Sequence, residues 1–312
     1  MNLFATVLTY PAPSANYRGE SEENRSVIQK ITYGRFEYPI ISPESIRNAL
    51  RETLAKLKLP RNRTRLTDED QLAVKFADYP DPDKYADDFF FGYLVAASGK
   101  DRATIRGKIK DSGRDESAFR FKRDSVFRMN LARGVEPFRN NVVFTQSPLT
   151  VKQEGGPDWQ NSKTSALLHR ETVLTAFQYP FALNRDDCKA KPDWTKALLR
   201  AIGELNDVAG NHARSYFEMA PASIVLRLTD QLVAGYDTYG FKPSGDFPEV
   251  VDGILHDDGD YPAGEFYIGG KIVKEMESKR VGELKAKGVT LERDPRKILA
   301  IAGEKAFPTG RA

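Results

Sequence analysis

The 312-residue sequence predicts an α+β fold, built as one large domain whose core is interrupted by long insertions. Residues 2–10 carry apolar side chains at both odd and even positions and are rich in β-branched and aromatic types. This pattern predicts a central strand, buried on both faces, at the start of the chain. Ser42 followed by Pro43 is a helix start, and after it apolar residues recur at helical spacing: Ile46, Leu50, Leu54 and Leu57. With 40% hydrophobic and 29% charged residues, the composition is that of an ordinary globular protein.

Between and after these two elements, the chain alternates strand patterns with polar stretches. A small polar loop is expected at 14–24, followed by two strands, 26–33 and 36–42, joined at the turn signal Gly34-Arg35. From about residue 61 to 140 the pattern weakens, and we interpret this stretch as a long insertion without helices of useful length. It contains a buried strand at 89–95 and an alternating strand at 124–136.

The second half repeats the strand and helix signals of the first. A polar Gly-Gly-Pro loop occupies 146–168, strands are expected at 172–182 and 222–228, and residues 284–301 are weakly helical. Asp193 is expected to cap a helix with the apolar stripe Trp194, Leu198, Ile202 and Leu205. The strongest elements are compatible with a ferredoxin-like, RRM-type core with two large insertions. Their order is strand, helix, strand or hairpin insertions, strand, helix, strand.

Several classes of chemistry are disfavoured by composition. A single cysteine, Cys188, excludes an intramolecular disulfide and a multi-cysteine zinc site, and three widely spaced histidines disfavour a histidine-built metal site. Neither a Gly-rich phosphate loop nor a nucleophile elbow occurs. The longest apolar run, 89–97, is too short to span a bilayer. We therefore expect a soluble cytoplasmic protein with no cofactor, no metal and no membrane contact.

Charge is segregated along the chain although the net charge is only +3. Residues 16–65 hold eleven Lys/Arg against six acids and 99–139 hold twelve against six, whereas 66–98 hold two against eight. The stretch 229–265 has nine Asp/Glu and one base. Such blocks suit a chain that binds a polyanion on one surface, and equally one that stacks on copies of itself, basic face to acidic face. Each block taken singly is also typical of a solvated loop.

Amide and guanidinium side chains gather at two places that suit contacts to phosphate and sugar. Asn16, Arg18, Asn24 and Arg25 follow the first strand, and a second group consists of Asn211, His212 and Arg214. An ordinary polar surface loop explains the first group equally well. His212 acting as a general base would need a partner, and neither of the other histidines is an obvious one.

Two long segments resemble the DevR family of CRISPR-associated autoregulator proteins. The first is NRSVIQKIT at 24–32 with YPIISPESIRNALR at 38–51, and the second is GNHARSYF at 210–217 running into APASIVLR at 220–227. Weaker echoes lie within 125–138 and 177–181. The family supplies the backbone subunits of type I (I-B-like) Cascade surveillance complexes.

The resemblance implies an RRM-like palm with finger and thumb insertions. The palm would comprise 1–59 and 169–230, the finger about 60–140, the thumb about 146–168, and a C-terminal extension 231–312.

The resemblance also implies partners and a binding surface. The partners are a CRISPR guide RNA, target DNA through the guide heteroduplex, further copies of the chain in a filament and other Cascade subunits, and family members hold RNA without cutting it. Mapped onto this sequence, the RNA-binding residues would be Asn16, Arg18, Asn24, Arg25, Ser42, Ser45, Arg47, Gln146, Gln153, Asn211, His212 and Arg214.

One departure from ordinary RRMs concerns the bases. No RNP-type aromatic motif occurs on the expected strands, so binding should be mostly to the RNA backbone and largely independent of sequence. Two rival functions remain open: a precursor-processing endoribonuclease of the same superfamily with His212 as acid/base, and a regulator that acts without RNA.

Overall fold

A computed structural model describes residues 1–14, 17–22, 25–67, 72–146, 167–208 and 217–309. For strand residues 17–22, 25–26, 65–67, 72–74, 145–146 and 167–168 it describes the backbone alone. The strands are β1 (Asn2–Thr9), β2 (Ala12–Ser14), β3 (Tyr17–Glu22), β4 (Arg25–Ile28), β5 (Lys30–Tyr33), β6 (Phe36–Ile41), β7 (Arg63–Thr67), β8 (Leu72–Phe76), β9 (Tyr93–Leu94), β10 (Lys122–Arg123), β11 (Arg128–Met129), β12 (Ala132–Gly134), β13 (Asn141–Gln146), β14 (Leu167–Thr175), β15 (Phe177–Asn184), β16 (Pro221–Thr229), β17 (Phe266–Gly270) and β18 (Thr290–Glu292). The helices are α1 (Pro43–Lys56), α2 (Ala86–Phe91), α3 (Gly99–Asp111), α4 (Arg185–Cys188), α5 (Pro192–Gly203), α6 (Pro248–Leu255), α7 (Lys271–Glu275), α8 (Ser278–Lys287) and α9 (Pro295–Ala306).

A large sheet organises these elements, and the predicted α+β class is confirmed. Its strand order is β18-β17-β16-β1-β15-β12-β6-β5, with β11 also paired to β15. The first strand is central, as predicted, because it pairs antiparallel with both β15 and β16. Every residue of β16 is buried, which requires both faces of the sheet to be covered.

The two faces of the sheet carry two separate cores. On one face, side chains such as Leu3, Val7 and Leu226 pack with α1, α5 and α9. On the other face, Leu8 and Val225 pack with a second cluster that includes Tyr236, Phe241, Phe247, Val250 and Ile254. Residues 231–265 and helices α7 and α8 therefore cover the sheet face opposite the long helices, since they supply most of the second core, whereas α9 lies on the helical face.

The two helices predicted at the core form for local reasons. Ser42 caps α1 by accepting a hydrogen bond from the Ser45 amide at 3.3 Å, Pro43 opens the helix, and Ile46, Leu50 and Leu54 are buried as the spacing predicts. Helix α5 begins at Pro192, so Asp193 lies in its first turn and Lys191 is the N-cap residue, correcting the predicted cap.

A second sheet lies beside the N-terminal half of the large one. Its order is β13-β14-β4-β3, with β2 paired to β14. The polar loop predicted at 14–24 is wrong where the structure describes it, because β3 and the end of β2 fall there. The predicted strand 26–33 is in fact two strands in different sheets: β4 runs parallel to β14, and β5 forms the hairpin with β6. The hairpin turn itself is confirmed, with Gly34 at φ +61°.

The interval 61–140 was predicted to lack useful helices, and that prediction is wrong. Residues 86–91 form α2 where a strand was expected, because its three consecutive phenylalanines and Asp87 and Asp88 are all buried and need partners on every side. Helix α3 is 13 residues long and is started by a Ser98–Asp101 capping box. It shows no apolar stripe, since Ile109 is its only fully buried residue, and periodicity could not reveal it.

The C-terminal part is more structured than the weak helical pattern predicted. In place of one helix at 284–301, α8 ends at Gly288, which has φ +106°, and β18 and α9 follow. The strand expected at 124–136 is broken into the short strands β11 and β12. No helix within the described ranges is both long and apolar enough to cross a membrane.

Candidate nucleic-acid interface

The start of α1 carries three of the predicted RNA-binding residues. The Ser42 and Ser45 hydroxyl oxygens lie 3.0 Å apart, and both side chains are partly exposed beside the helix N-terminus. The partial positive charge of a helix N-terminus favours phosphate. Glu44 in the same first turn opposes this attraction.

Arg47, one turn along the same helix, is partly buried. Its Nε is enclosed and has no hydrogen-bond partner among the described residues. Burial lowers the pKa of its guanidinium, while the neighbouring Glu44 carboxylate acts in the opposite direction. The side chain thus has an unused hydrogen-bond donor close to the helix N-terminus.

The segment that carries Asn211, His212 and Arg214 lies outside the described residues, but both of its ends are defined. Asn206 and Glu218 form an antiparallel bridge, and the Asp207 amide donates to the Phe217 carbonyl at 3.1 Å. The two ends of segment 209–216 are therefore held side by side at the Asn206–Glu218 bridge. The buried Tyr179 hydroxyl donates to the Met219 carbonyl at 2.9 Å and fixes the returning strand to β15.

This point lies directly against α1. Lys56 Nζ is 3.4 Å from an Asp207 carboxylate oxygen. A cavity of about 190 Å³ separates the two segments and is lined by Ser45, Asn48, Glu52, Lys56, Asn206 and Asp207, among others. Helix α1, which belongs to the first motif segment, thus lines one polar cavity together with Asn206 and Asp207, which precede the second motif segment.

Three further predicted site residues fall on strands of the second sheet. Arg18 lies on β3, Arg25 on β4 and Gln146 at the end of β13, with the backbone alone described at each. Arg25 is in register with His169 on β14, and Gln146 with Leu167. The structure therefore places the strands of Arg25 and Gln146 in one sheet. Asn16, Asn24 and Gln153 lie outside the described residues.

The central sheet face that an RRM would use for base stacking is covered. The Thr6 hydroxyl donates to the Thr238 carbonyl at 3.0 Å. The Gln178 side chain exchanges two hydrogen bonds with the backbone of Phe241, at 3.3 and 3.1 Å. Because the chain after 230 occupies this face, bases cannot stack on β1, β15 or β16, in agreement with the missing aromatic motif.

Two other sequence candidates have structural explanations. Cys188, the last residue of α4, is fully buried, and burial raises the pKa of its thiol to about 12. It therefore stays protonated and is a poor nucleophile. Across the described ranges, no three His, Cys, Asp or Glu side chains are arranged to hold a metal ion, and this includes the acidic turn at 256–260.

Sequence reasoning missed a buried ionic cluster that joins α1 to the insertion. Asp87, 1% exposed, lies 3.3 Å from Arg51 Nε and 3.4 Å from Arg63 Nε, and it accepts from the Asn62 amide at 2.8 Å. Arg51 is nearly enclosed, and desolvation lowers its pKa to about 10. The available signal was the Asp-Asp pair before three phenylalanines, since acids adjoining an apolar run must find buried partners.

The chain is similar to a curated protein and to chains of solved structures. No family model matches the chain. A protein of Myxococcus xanthus (strain DK1622) named "CRISPR-associated protein Cas7/Cst2/DevR" is 28% identical over 286 residues, covering 88% of each chain. The predicted resemblance to the DevR family is confirmed. The DevR-like chain also matches, at 12% identity and a TM-score of 0.59, a chain of a CRISPR RNA-guided surveillance complex, covering 98% of this chain and all of that one. A chain of a pre-nicking form of such a complex matches at 11% identity with the same TM-score, and both similarities concern the fold.

Proposed function

We propose that this chain is a guide-RNA-binding backbone subunit of a type I Cascade complex, which polymerises along the guide and supports its pairing with target DNA. The observation that carries the proposal is the meeting of α1 with the root of segment 209–216 at one polar cavity. These segments bear the strongest resemblance to the DevR family. The named homologue and the fold of surveillance-complex chains support the same function.

The core topology supports an RRM-like palm. Strand β16 pairs with β1, β1 with β15 and β15 with β12, all antiparallel. If β1, β12, β15 and β16 are counted as core strands one to four, the order across the sheet is 4-1-3-2. Helix α1 follows the first strand, α5 connects the third to the fourth, and the two helices contact each other. This is a split β-α-β arrangement. The finger, expected at about 60–140, would end before β11 and β12, because these strands join the large sheet. The loop between β13 and β14 would be the thumb.

In this role the chain binds the sugar-phosphate backbone of the RNA and does not cut the RNA. Phosphates would approach the N-terminus of α1 with Ser42, Ser45 and Arg47, while Arg18 and Arg25 would contribute from the second sheet together with Asn16, Asn24, Gln146 and Gln153. Segment 209–216 would close over the RNA with Asn211, His212 and Arg214. Contacts of this kind supply affinity and register without reading sequence.

The proposal is tested by replacing Arg18 and Arg25 with alanine and measuring RNA affinity against salt by fluorescence anisotropy. We expect weaker binding to every single-stranded RNA sequence by a similar factor, and a salt slope reduced by about 1 per lost phosphate contact. Lys279→Ala, at an 84% exposed position on α8, is the matched control and should change neither quantity. A loss confined to one sequence would contradict backbone binding.

The same preparation separates the two rival functions. An endoribonuclease would shorten the RNA during the titration, and His212→Ala would abolish the cleavage. A regulator that acts without RNA would remain a monomer or dimer and would show no RNA-dependent anisotropy change.

A further inference from the structure

Aromatic side chains gather at one edge of the large sheet, on a single face of the β5–β6 hairpin and the neighbouring strand β12. Side chains at paired positions of adjacent strands lie on the same face, and so do alternate residues of one strand. The pairing of these three strands therefore places the following residues on one face: Ile31, Tyr33, Phe36, Tyr38 and Arg133. We call this set the aromatic platform.

The aromatic platform lies on the sheet face that residues 231–265 close. Arg133 is paired with Gln178 of β15, whose side chain bonds to the Phe241 backbone on that face. At the platform, the closing segment contributes Tyr239, whose ring centroid lies 4.7 Å from Arg133 Cζ. Further towards the edge, Tyr33 is 69% exposed. The edge of this face is therefore open where its centre is closed.

Arg133 lies at the centre of the aromatic platform. Its Cζ is also 6.0 and 5.5 Å from the ring centroids of Tyr33 and Tyr38, so three tyrosine rings surround one guanidinium group. Its Nε is buried and has no hydrogen-bond partner in the part of the chain that the structure describes. Rings hold a guanidinium group by cation–π contact and leave its N–H donors free for an anion.

The acids close to the platform are turned away or bonded elsewhere. Glu37 lies on the opposite face of β6 and pairs with Lys30 at 3.8 Å. The Asp237 carboxylate accepts a hydrogen bond from the Tyr239 amide at 2.8 Å. Glu136 lies beyond the end of β12, which is Gly134. None of these carboxylates forms an ion pair with Arg133.

These features fit a single strand of nucleic acid. A second guanidinium group, that of Arg35 in the hairpin turn, has its Cζ 5.1 Å from the Phe36 ring centroid. Bases stack on aromatic rings and on arginine whatever their identity, and the phosphates that join them pair with guanidinium groups. A purely apolar partner would leave the charge of Arg133 without compensation when it covered the platform.

The aromatic platform is also continuous with the candidate interface at α1. Strand β6 carries Tyr38 and ends at Ile41, next to Ser42, the N-cap of α1. Four residues of extended strand span about 13 Å. A strand with bases about 3.4 Å apart covers that distance in about four nucleotides. Because α1 packs on the other sheet face, an RNA that contacts both places would cross the end of β6.

We propose that the aromatic platform binds the bases of single-stranded RNA, with Tyr33 stacking on one base and Arg133 pairing with an adjacent phosphate. The contact adds base stacking at the sheet edge to the backbone contacts at α1. It is indifferent to base identity, because every base presents a flat face. The inference rests on the proposed function, since it takes the same RNA as its ligand.

Two substitutions at Tyr33 separate stacking from simple apolar contact. Tyr33→Trp keeps an aromatic ring, whereas Tyr33→Leu keeps apolar surface without a ring. With a short labelled single-stranded RNA, measured by fluorescence anisotropy, Tyr33→Leu should weaken binding at least about fivefold and Tyr33→Trp should not. Phe76→Leu is the matched control, since Phe76 is 46% exposed and lies beside Arg63 in the insertion, and it should leave the affinity unchanged.

An abasic strand of the same length tests which part of the RNA the platform binds. The Tyr33→Leu variant should bind this strand as tightly as the unsubstituted chain does, because it has no base to stack. Arg133→Gln should weaken binding of both strands and reduce the salt slope by about 1. An equal loss by Tyr33→Leu on the abasic strand would refute stacking.

The outcomes separate this contact from the function on which it rests. RNA binding that Tyr33→Leu leaves unchanged would overturn the stacking contact and leave the RNA-binding role intact. Absence of RNA binding by the unsubstituted chain would overturn the role and the inference with it. Unchanged affinity with fewer copies per RNA, measured by native mass spectrometry, would overturn the stacking contact and assign the platform to contact between copies.

Discussion

Asp87 is the residue on which the joint between α1 and the insertion depends. Its carboxylate faces two arginines from different segments, Arg51 on α1 and Arg63 on β7, and accepts backbone hydrogen bonds from Asn62 and Arg63 at 2.8 and 3.0 Å. One buried carboxylate thus accepts hydrogen bonds from two backbone amides and pairs with two guanidinium groups.

Asp87→Asn should lower the free energy of unfolding by about 3–5 kcal/mol, because the buried Arg51 loses its ion-pair partner and Arg63 keeps only the Asp88 carboxylate, at 3.6 Å. The asparagine amide group would also point a donor at backbone donors. Urea denaturation measures the change. Asp124→Asn, 85% exposed in a surface pair with Lys122, is the matched control and should cost less than about 1 kcal/mol. Equal effects of the two substitutions would refute the assignment.

The sequence allowed only part of this to be anticipated. Ile46, Leu50 and Leu54 are buried as their spacing predicts, because a helix stripe is a local property. Arg51 lies on the same helix outside this stripe and is buried against Asp87, which the fold brings to it from the insertion. Local periodicity holds no information about that pairing.

At the scale of elements, cap and turn signals were right at Ser42 and Gly34 and wrong at Asp193, and signals that depend on distant partners were missed. The Ser42-Pro43 helix start and the Gly34 turn were predicted because cap and turn chemistry acts within a few residues. Helix α3 was missed because it has no apolar stripe, and β4 was merged with β5 because sheet membership depends on distant partners. Of the twelve predicted site residues, the structure describes the side chains of Ser42, Ser45 and Arg47.

The hairpin β13–β14 leads to a further test of an element. Its strands pair up to Gln146 and Leu167, and the loop predicted as the thumb lies between them. Deleting residues 153–160 should leave the thermal unfolding midpoint of the palm nearly unchanged, because loop length affects stability only weakly. It should reduce the number of copies bound per RNA.

Native mass spectrometry of RNA particles and thermal unfolding together check this expectation. The undeleted chain at the same concentration is the reference. If the deleted chain protected RNA over the same length and with the same copy number, the thumb assignment would be wrong.

At the scale of the whole molecule, the centre of the large sheet is covered on both faces. One face carries the long helices, and the other is closed by residues after 230 through contacts such as Gln178 with Phe241. That closure explains why the central strands carry no base-stacking aromatics, and it moves the candidate interface to α1, segment 209–216 and the second sheet.

The central claim is tested most directly by the nucleic acid that co-purifies when the chain is expressed with a CRISPR array and its neighbouring genes. The account predicts RNA of uniform guide length in a particle much heavier than the 35.0 kDa chain, with several copies per RNA. A clean monomer without RNA, obtained from the same cells, would contradict it and favour a regulator that acts without RNA.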